Sequence, residues 1–458
     1  MAFLEDLFLF LLISFAWFGF LYLLHRFRKL ERPDEAGTRK WGLALMGPFL
    51  MWKTGKGRAL IDRLARRARF WRWFGDASIV LVAVAMVSMT ALLAWLAVLV
   101  VNIPPGREPS PEMILGIPGV NRLIPVTYGI LGLAVAIVVH EFCHGILARA
   151  SKVKVNSLGL LFYVVPIGAF VEPDETEMKA MPRRERARLF AAGPAVNLMA
   201  ALVFAFVFST VFMGSVTPVA PGVGVASVTP GAPADVQLNL APGVILLSVN
   251  DTETRTFTAF SDAIGNTAAN QTVNITYTAK GYASPVSTTV MLADAAQFTG
   301  NETRRGMGFL GVGIFPVRLS TAYFHPIGGS GELGGLPQSL LTYVSLPFTG
   351  LQPMEGLATQ FYEVHGPLAG LGDSFWVFAN IFYWLFWLNL MLGMTNALPA
   401  VPLDGGYLFR DGLHAILARV KGGVPVERRE KTVRNVSYVF ALMILSLIVW
   451  QFIGPRVL

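Results

Sequence analysis

Charge is scarce in this chain. Asp, Glu, Lys and Arg make up 14% of its residues, where a soluble domain carries about a quarter. Hydrophobic residues make up 54%, and the two figures together exclude an ordinary soluble globular protein. Cysteine is nearly absent: Cys143 alone excludes an intrachain disulfide framework and any zinc site built from several thiolates. Internal repeats and low-complexity tracts are also missing, so no repeat architecture is expected. No separate nucleic-acid module is recognisable. The net charge of +8 therefore reads as membrane topology, because most basic residues sit in short segments beside apolar runs.

Six apolar runs are long enough to cross a bilayer core of roughly 30 Å as helices. They cover residues 3–24, 77–101, 124–148, 187–213, 375–398 and 436–453. The first exceeds a signal-peptide core, lacks a basic start and is followed by His25, Arg26, Arg28 and Lys29, so it reads as a retained helix. The stretch between the first two runs holds Lys53, Lys56, Arg58, Arg63, Arg66, Arg67, Arg69 and Arg72, which predicts a cytoplasmic location. Counting alternately from there, the clusters at 183–188 and 428–434 also fall inside. Both termini and residues 217–318 fall outside.

That outer segment is rich in Val, Thr, Gly and Asn and contains short alternating runs, such as residues 273–277 and 286–291, which predicts a small β-rich soluble domain. It also carries Asn-x-Thr sequons at Asn250, Asn270, Asn274 and Asn301, in keeping with an outer location. The Gly-rich residues 328–335 read as a linker. The broken apolar residues 339–354 read as lying on the outer membrane surface and residues 41–51 on the inner one. The domain map is then 1–123, an N-terminal membrane region with two helices and a basic cytoplasmic segment; 124–216 and 375–458, two parts of a catalytic membrane core; 217–318, the outer domain; and 319–374, a linker with a membrane-surface segment.

The third run contains His140-Glu141-Phe142-Cys143-His144. On a helix, residues i and i+4 share a face, so both imidazoles can reach one Zn²⁺ while Glu141 stands beside them to act on water. Three ionisable side chains within one turn of an apolar helix are costly unless they serve a polar cavity. A packed or snorkelling helix-end cluster is the bland alternative. Catalytic zinc usually takes three protein ligands. Asp404, in Asn396-Ala397-Leu398-Pro399-Ala400-Val401-Pro402-Leu403-Asp404, is the best candidate for the third, because Pro399 and Pro402 would open the helix end and let the following carboxylate line a cavity. A plain turn at the membrane exit is the alternative there. His25, His325, His365 and His414 lack ligand spacing and read as surface histidines. Cys143 reads as packing, and Asn197 as either structural glue or support near the site.

These residues resemble the site-2 protease family of intramembrane zinc metalloproteases, in an archaeal or bacterial form. The likeness rests on residues 140–145, on Gly193-Pro194-Ala195-Val196-Asn197, and on residues 396–405. It implies a polytopic α-helical membrane fold with two ligands from His140 and His144, a third from Asp404, one Zn²⁺ per chain, Glu141 as base and Asn396 as oxyanion partner. Residues 157–173 combine β-branched and aromatic character with a Pro-Ile-Gly break and are too short to cross and return as helices. There the resemblance implies a re-entrant β-hairpin whose edge could pair with an unwound substrate strand; a buried connector is the alternative. Residues 222–234 and 240–251 of the outer domain resemble a PDZ domain, which implies a filter for substrates or a peptide ligand. The expected activity is peptide hydrolysis within transmembrane protein substrates, in the cell membrane and with no nucleic acid. Two rivals are a non-cleaving membrane scaffold or sensor of the same fold and a metal or solute transporter; the transporter would call for more ionisable residues in the other spans.

Overall fold

An apolar run in lipid must satisfy its own backbone, and a helix does so within one segment. A computed structural model describes residues 2–28, 42–103, 110, 113, 116, 118–317, 325, 334–346, 354–420 and 425–457. Among these, five helices are long and apolar enough to cross a membrane: Ala68–Asn102, Val126–Ala150, Arg183–Ser215, Ser374–Asn396 and Val426–Val457. They contain or largely overlap the second to sixth expected spans, and the chain is a multi-pass membrane protein. Residues 3–24, the first expected span, lie in a helix of their own, Ala2–Arg28.

The chain divides into two compact units, the first comprising Met1–Leu202 and Leu385–Leu458. Its elements begin with α1 (Ala2–Arg28), β1 (Gly42–Met46), β2 (Phe49–Thr54), α2 (Arg58–Ala65), α3 (Ala68–Leu99) and α4 (Val126–Ala150). They continue with β3 (Val155–Tyr163), β4 (Val165–Pro173), α5 (Glu175–Ala180) and α6 (Arg183–Phe206), and the helices Asp404–Val420 and Val426–Val457 close the unit. One antiparallel sheet runs in the order β1-β2-β3-β4. Residues 157–173 thus form a hairpin, as the family resemblance implies. Residues 41–51, read as lying on the inner membrane surface, contribute to the hairpin of β1 and β2, with residue 41 itself outside the described residues. The reason is packing: Leu50 is buried with Trp17 and Leu21 of α1, and β2 finds its second partner far along the chain in β3, with Lys53 opposite Gly159.

Helix α3 starts at Ala68 instead of residue 77 because its polar first turns have partners. Trp71 Nε1 donates to the Leu64 carbonyl at 2.8 Å, and Asp76 accepts from Arg184 and from Arg188 of α6. Arg188 is buried, holds both Asp76 oxygens at 2.8 and 2.6 Å and reaches Glu185 at 2.6 Å. An unpaired cation at that depth would cost several kcal/mol. Between helices in lipid the hydrophobic effect supplies little, and close van der Waals contact takes over. Helix α6 supplies it with a run of small buried residues, Ala191, Ala192, Gly193, Pro194 and Ala195. Leu189 and Ala192 pack with Ile61, Phe74, Leu147 and Leu158, while Ala191 and Ala195 pack with Val82, Ala397 and Leu408.

The second unit is Val203–Trp384. Its strands are β5 (Val216–Pro218), β6 (Val223–Val228), β7 (Ile245–Val249), β8 (Thr252–Glu253), β9 (Thr272–Thr278) and β10 (Val286–Met291). After them come β11 (Ala293–Asp294), β12 (Gly308–Phe309), β13 (Val312–Phe315) and β14 (Tyr362–Val364). The main sheet runs β10-β9-β7-β6-β13, with β8 on β7. Alternation in residues 273–277 and 286–291 yields β9 and β10, paired antiparallel with Val273 opposite Val290. Val273, Ile275 and Val290 are buried with Val225, Leu246 and Phe260 in a core of their own. Of the expected linker, residues 328–333 lie outside the described residues, as do residues 347–353 of the apolar stretch 339–354. Leu336–Ser345 is a helix.

Candidate metal centre and active site

Helix α4 sets His140 and His144 one turn apart on one face. Their Nε2 atoms stand 3.1 Å apart, and Asp404 Oδ2 lies 3.0 Å from the first and 3.2 Å from the second. Asp404 arrives from 264 positions along the chain. The helix Ser374–Asn396 stops, a turn holding Pro399 and Pro402 follows, and a new helix begins at Asp404 itself. Segment 403–406 is therefore a helix start and not a plain turn. Glycine is required there: a Cβ on Gly405 would stand 2.1 Å from the Ala397 carbonyl oxygen, and one on Gly406 2.4 Å from the Val401 nitrogen.

The far side of each ring is also engaged. His144 Nδ1–H donates to the Leu189 carbonyl at 2.8 Å, which leaves the lone pair on Nε2, facing His140 and Asp404. His140 Nδ1 lies 3.2 Å from the amide of Asn197, a fully buried residue whose Oδ1 has no hydrogen-bond partner. Turning that amide end for end makes Oδ1 accept from Nδ1–H, which satisfies the orphaned oxygen and frees the His140 Nε2 lone pair as well. Gly193 lets α6 pass close by, since a Cβ there would meet His144 Nε2 at 2.3 Å and His140 Nε2 at 2.5 Å.

This arrangement fits a zinc ion. Two imidazole lone pairs facing each other at 3.1 Å repel unless a cation or a proton lies between them. Donors held 2.0–2.1 Å from a tetrahedral Zn²⁺ stand roughly 3.3 Å from one another, close to the spacings of 3.0–3.2 Å found here. Imidazole nitrogen and carboxylate oxygen are donors zinc accepts. Among the described residues this is the single group of three such side chains near enough to share a metal ion. His325 bonds Ser209, His365 bonds Thr217 and His414 stands beside Arg183. Cys143 is buried in the core around α4.

Glu141 shares with the three residues a cavity of about 350 Å³. Its Oε2 accepts from the Val171 backbone N–H of β4 at 3.0 Å, while Oε1 has no partner among the described residues. Asn396, the last residue of its helix, lines the same cavity, and its amide makes no hydrogen bond among the described residues. Strand β4 forms one end of the sheet. It is pinned from behind by Lys53 of β2, whose Nζ reaches Glu172 at 3.1 Å, and by Ser157, which donates to the same carboxylate. Sequence reasoning gave Lys53 and Gly193 no such part in the site and missed Glu172 and the Leu189 carbonyl. Their roles arise from contacts between distant elements and leave no local spacing to read.

Fold and site together define a multi-pass membrane protein with a largely buried group of two histidines and one carboxylate, near enough to share a metal ion, beside a glutamate. The family model for peptidase family M50 matches residues 128–444, which include all of these residues, and the chain belongs to that family. Membership of that family supports, at family level, a membrane metalloprotease. The "Uncharacterized protein MJ0971" of Methanocaldococcus jannaschii is 30% identical over 168 residues, 36% of this chain and 43% of that protein, so the chain matches less than half of that relative's length. The "Putative zinc metalloprotease R01501" of Rhizobium meliloti is 23% identical over 63% of this chain and 87% of its own length. The "Putative zinc metalloprotease RC0203" of Rickettsia conorii is 25% identical over 61% and 85%.

Proposed function

We propose that the chain is a zinc-dependent intramembrane endopeptidase that hydrolyses peptide bonds within or near transmembrane segments of other proteins, in regulated intramembrane proteolysis. The observation that carries this reading is the meeting of His140, His144 and Asp404 within 3.2 Å beside Glu141, in and next to helices apolar enough to cross a membrane. His140, His144 and Asp404 hold one Zn²⁺ per chain. When bound, zinc supplies Lewis acidity toward the scissile carbonyl and a neighbouring water. Glu141, steadied by Val171, takes the proton from that water on its free oxygen and returns it to the leaving amine. Asn396 donates from its unpaired amide to the developing oxyanion.

Hairpin β3–β4 enters the membrane, and the outer edge of β4 pairs with an unwound substrate strand. Residues 217–318 form a PDZ-like domain outside the cell that filters substrates or binds a peptide, while the basic segments face the cytoplasm and α1 serves as a sixth span. Partners are transmembrane proteins and the bilayer itself. The test is a cleavage assay with the full chain reconstituted in lipid against a panel of single-span substrates, read by mass spectrometry. Cuts in or beside the spans should vanish on chelation and return with zinc. Glu141→Gln should keep its zinc and lose at least about a hundredfold in rate. Near-normal cleavage by Glu141→Gln would overturn the base, and a zinc-loaded protein that cuts nothing would point to a scaffold.

A further inference from the structure

A second cavity, of about 480 Å³, adjoins the candidate active site and shares Met178 and Phe190 with its wall. Its polar lining is mainly basic, with the cations Arg183 and Arg186 from the first turn of α6 and Arg410 from the helix Asp404–Val420, which also brings the imidazole of His414. Asp411 accounts for Arg186 only, through contacts of 2.8 and 2.6 Å, and Lys179 is taken by Glu175 at 2.6 Å. Among the described residues Arg410 makes no ion pair or hydrogen bond, and Arg183 reaches no acid, only His414 Nε2 at 3.4 Å. Arg429, in the first turn of the C-terminal helix, adds its charge beside His414, and its Nε is buried with no hydrogen-bond partner. Burial, then Arg183 and Arg429, hold the His414 imidazolium below its usual range. Glu430 is the one remaining acid on the wall, against the two cations Arg183 and Arg410, with Arg429 beside His414.

We propose that this cavity binds a phosphate group, carried by an anionic phospholipid headgroup or arriving as free phosphate. Guanidinium groups match phosphate oxygens in charge and in their forked geometry, and here Arg183 and Arg410 line one cavity without carboxylates of their own, with the charge of Arg429 beside His414. Depth favours the lipid. Arg183 begins one candidate span, and Arg429 stands in the first turn of another, the level at which bilayer phosphates lie. Met181, Phe190, Tyr407 and Val433 complete the wall with carbon surface suited to glycerol and acyl chains. Phe190 also stacks on Tyr407 with centroids 4.8 Å apart, so an occupied phosphate site bears on a residue that lines the active-site cavity.

The test uses the full chain, delipidated in detergent and titrated with phosphatidylglycerol, with diacylglycerol, which lacks the phosphate, or with inorganic phosphate. Native mass spectrometry counts bound lipid and thermal shift reports all three. Arg183→Gln with Arg410→Gln removes two exposed charges that carry no ion pair. Arg66→Gln with Arg67→Gln removes the same charge elsewhere on the surface, and circular dichroism verifies that both variants are folded. One phosphatidylglycerol per chain should stay with the wild type and with the control, and bind about tenfold or more weakly to the cavity variant. Stabilisation by inorganic phosphate that the cavity variant alone loses, without preference for phosphatidylglycerol, supports the site with free phosphate as its ligand. Equal binding of both ligands by the cavity variant and the control, or diacylglycerol bound as tightly as phosphatidylglycerol, overturns the proposal.

Discussion

Asp404 carries a heavy demand at the scale of single residues, because two distant segments must meet at one ion for the site to exist. If its carboxylate is the third ligand, Asp404→Ala leaves two imidazoles and should lose both metal and activity. Asn396→Ala, by contrast, removes only an amide donor, so it should keep its zinc and lose on the order of 10²-fold in rate. Elemental analysis of the two folded variants separates these outcomes. Full zinc occupancy in Asp404→Ala would mean that another group completes the site. His140, Glu141 and His144 are legible in the sequence because a helix converts a spacing of four into a shared face, a purely local rule. Asp404 is legible because prolines mark a helix end. Asn197 is legible only as glue or support near the site, and the role of Gly193 is not, since what they do depends on how closely α6 passes α4, and no local pattern encodes that distance.

At the scale of elements, β4 couples the sheet to the chemistry through the Val171 N–H on Glu141. Lys53 lies behind it, with its side chain 8% exposed against 41% for Glu172. Lys53→Met keeps the stem and removes the charge, leaving Glu172 able to turn toward solvent. The cost should therefore fall below that of breaking a fully buried pair, at about 1–3 kcal/mol. The same variant should retain zinc yet cleave more slowly, as β4 and Glu141 lose definition together. Unchanged unfolding temperature and unchanged rate would show that the pair is incidental. The β character of residues 157–173 can be read from β-branched and aromatic composition, and the family resemblance implies that they form a hairpin. The other half of the sheet cannot: residues 42–54 carry the same apolar character as a surface-lying segment, and only their pairing with β3, far along the chain, makes them strands.

For the whole molecule, hydropathy makes the spans readable, because lipid imposes one requirement on every crossing segment. Orientation depends instead on the sum of basic residues near the membrane, and three clusters, at 53–72, 183–188 and 428–434, agree on one answer. That agreement makes a sharp prediction, since the single native thiol, Cys143, is 4% exposed and should stay silent toward a membrane-impermeant maleimide. Ala283 lies in the exposed turn between β9 and β10, and Arg66 is exposed between α2 and α3, so a cysteine at either position should react wherever reagent reaches it. In intact cells Ala283→Cys should label and Arg66→Cys should not, while permeabilised cells should label both. The permeabilised control matters, because it separates a sheltered side of the membrane from a thiol hidden by folding. The reverse pattern would put the β-rich domain in the cytoplasm and overturn the charge argument. It would leave the geometry at His140, His144 and Asp404 untouched, because that geometry does not depend on which side of the membrane water enters.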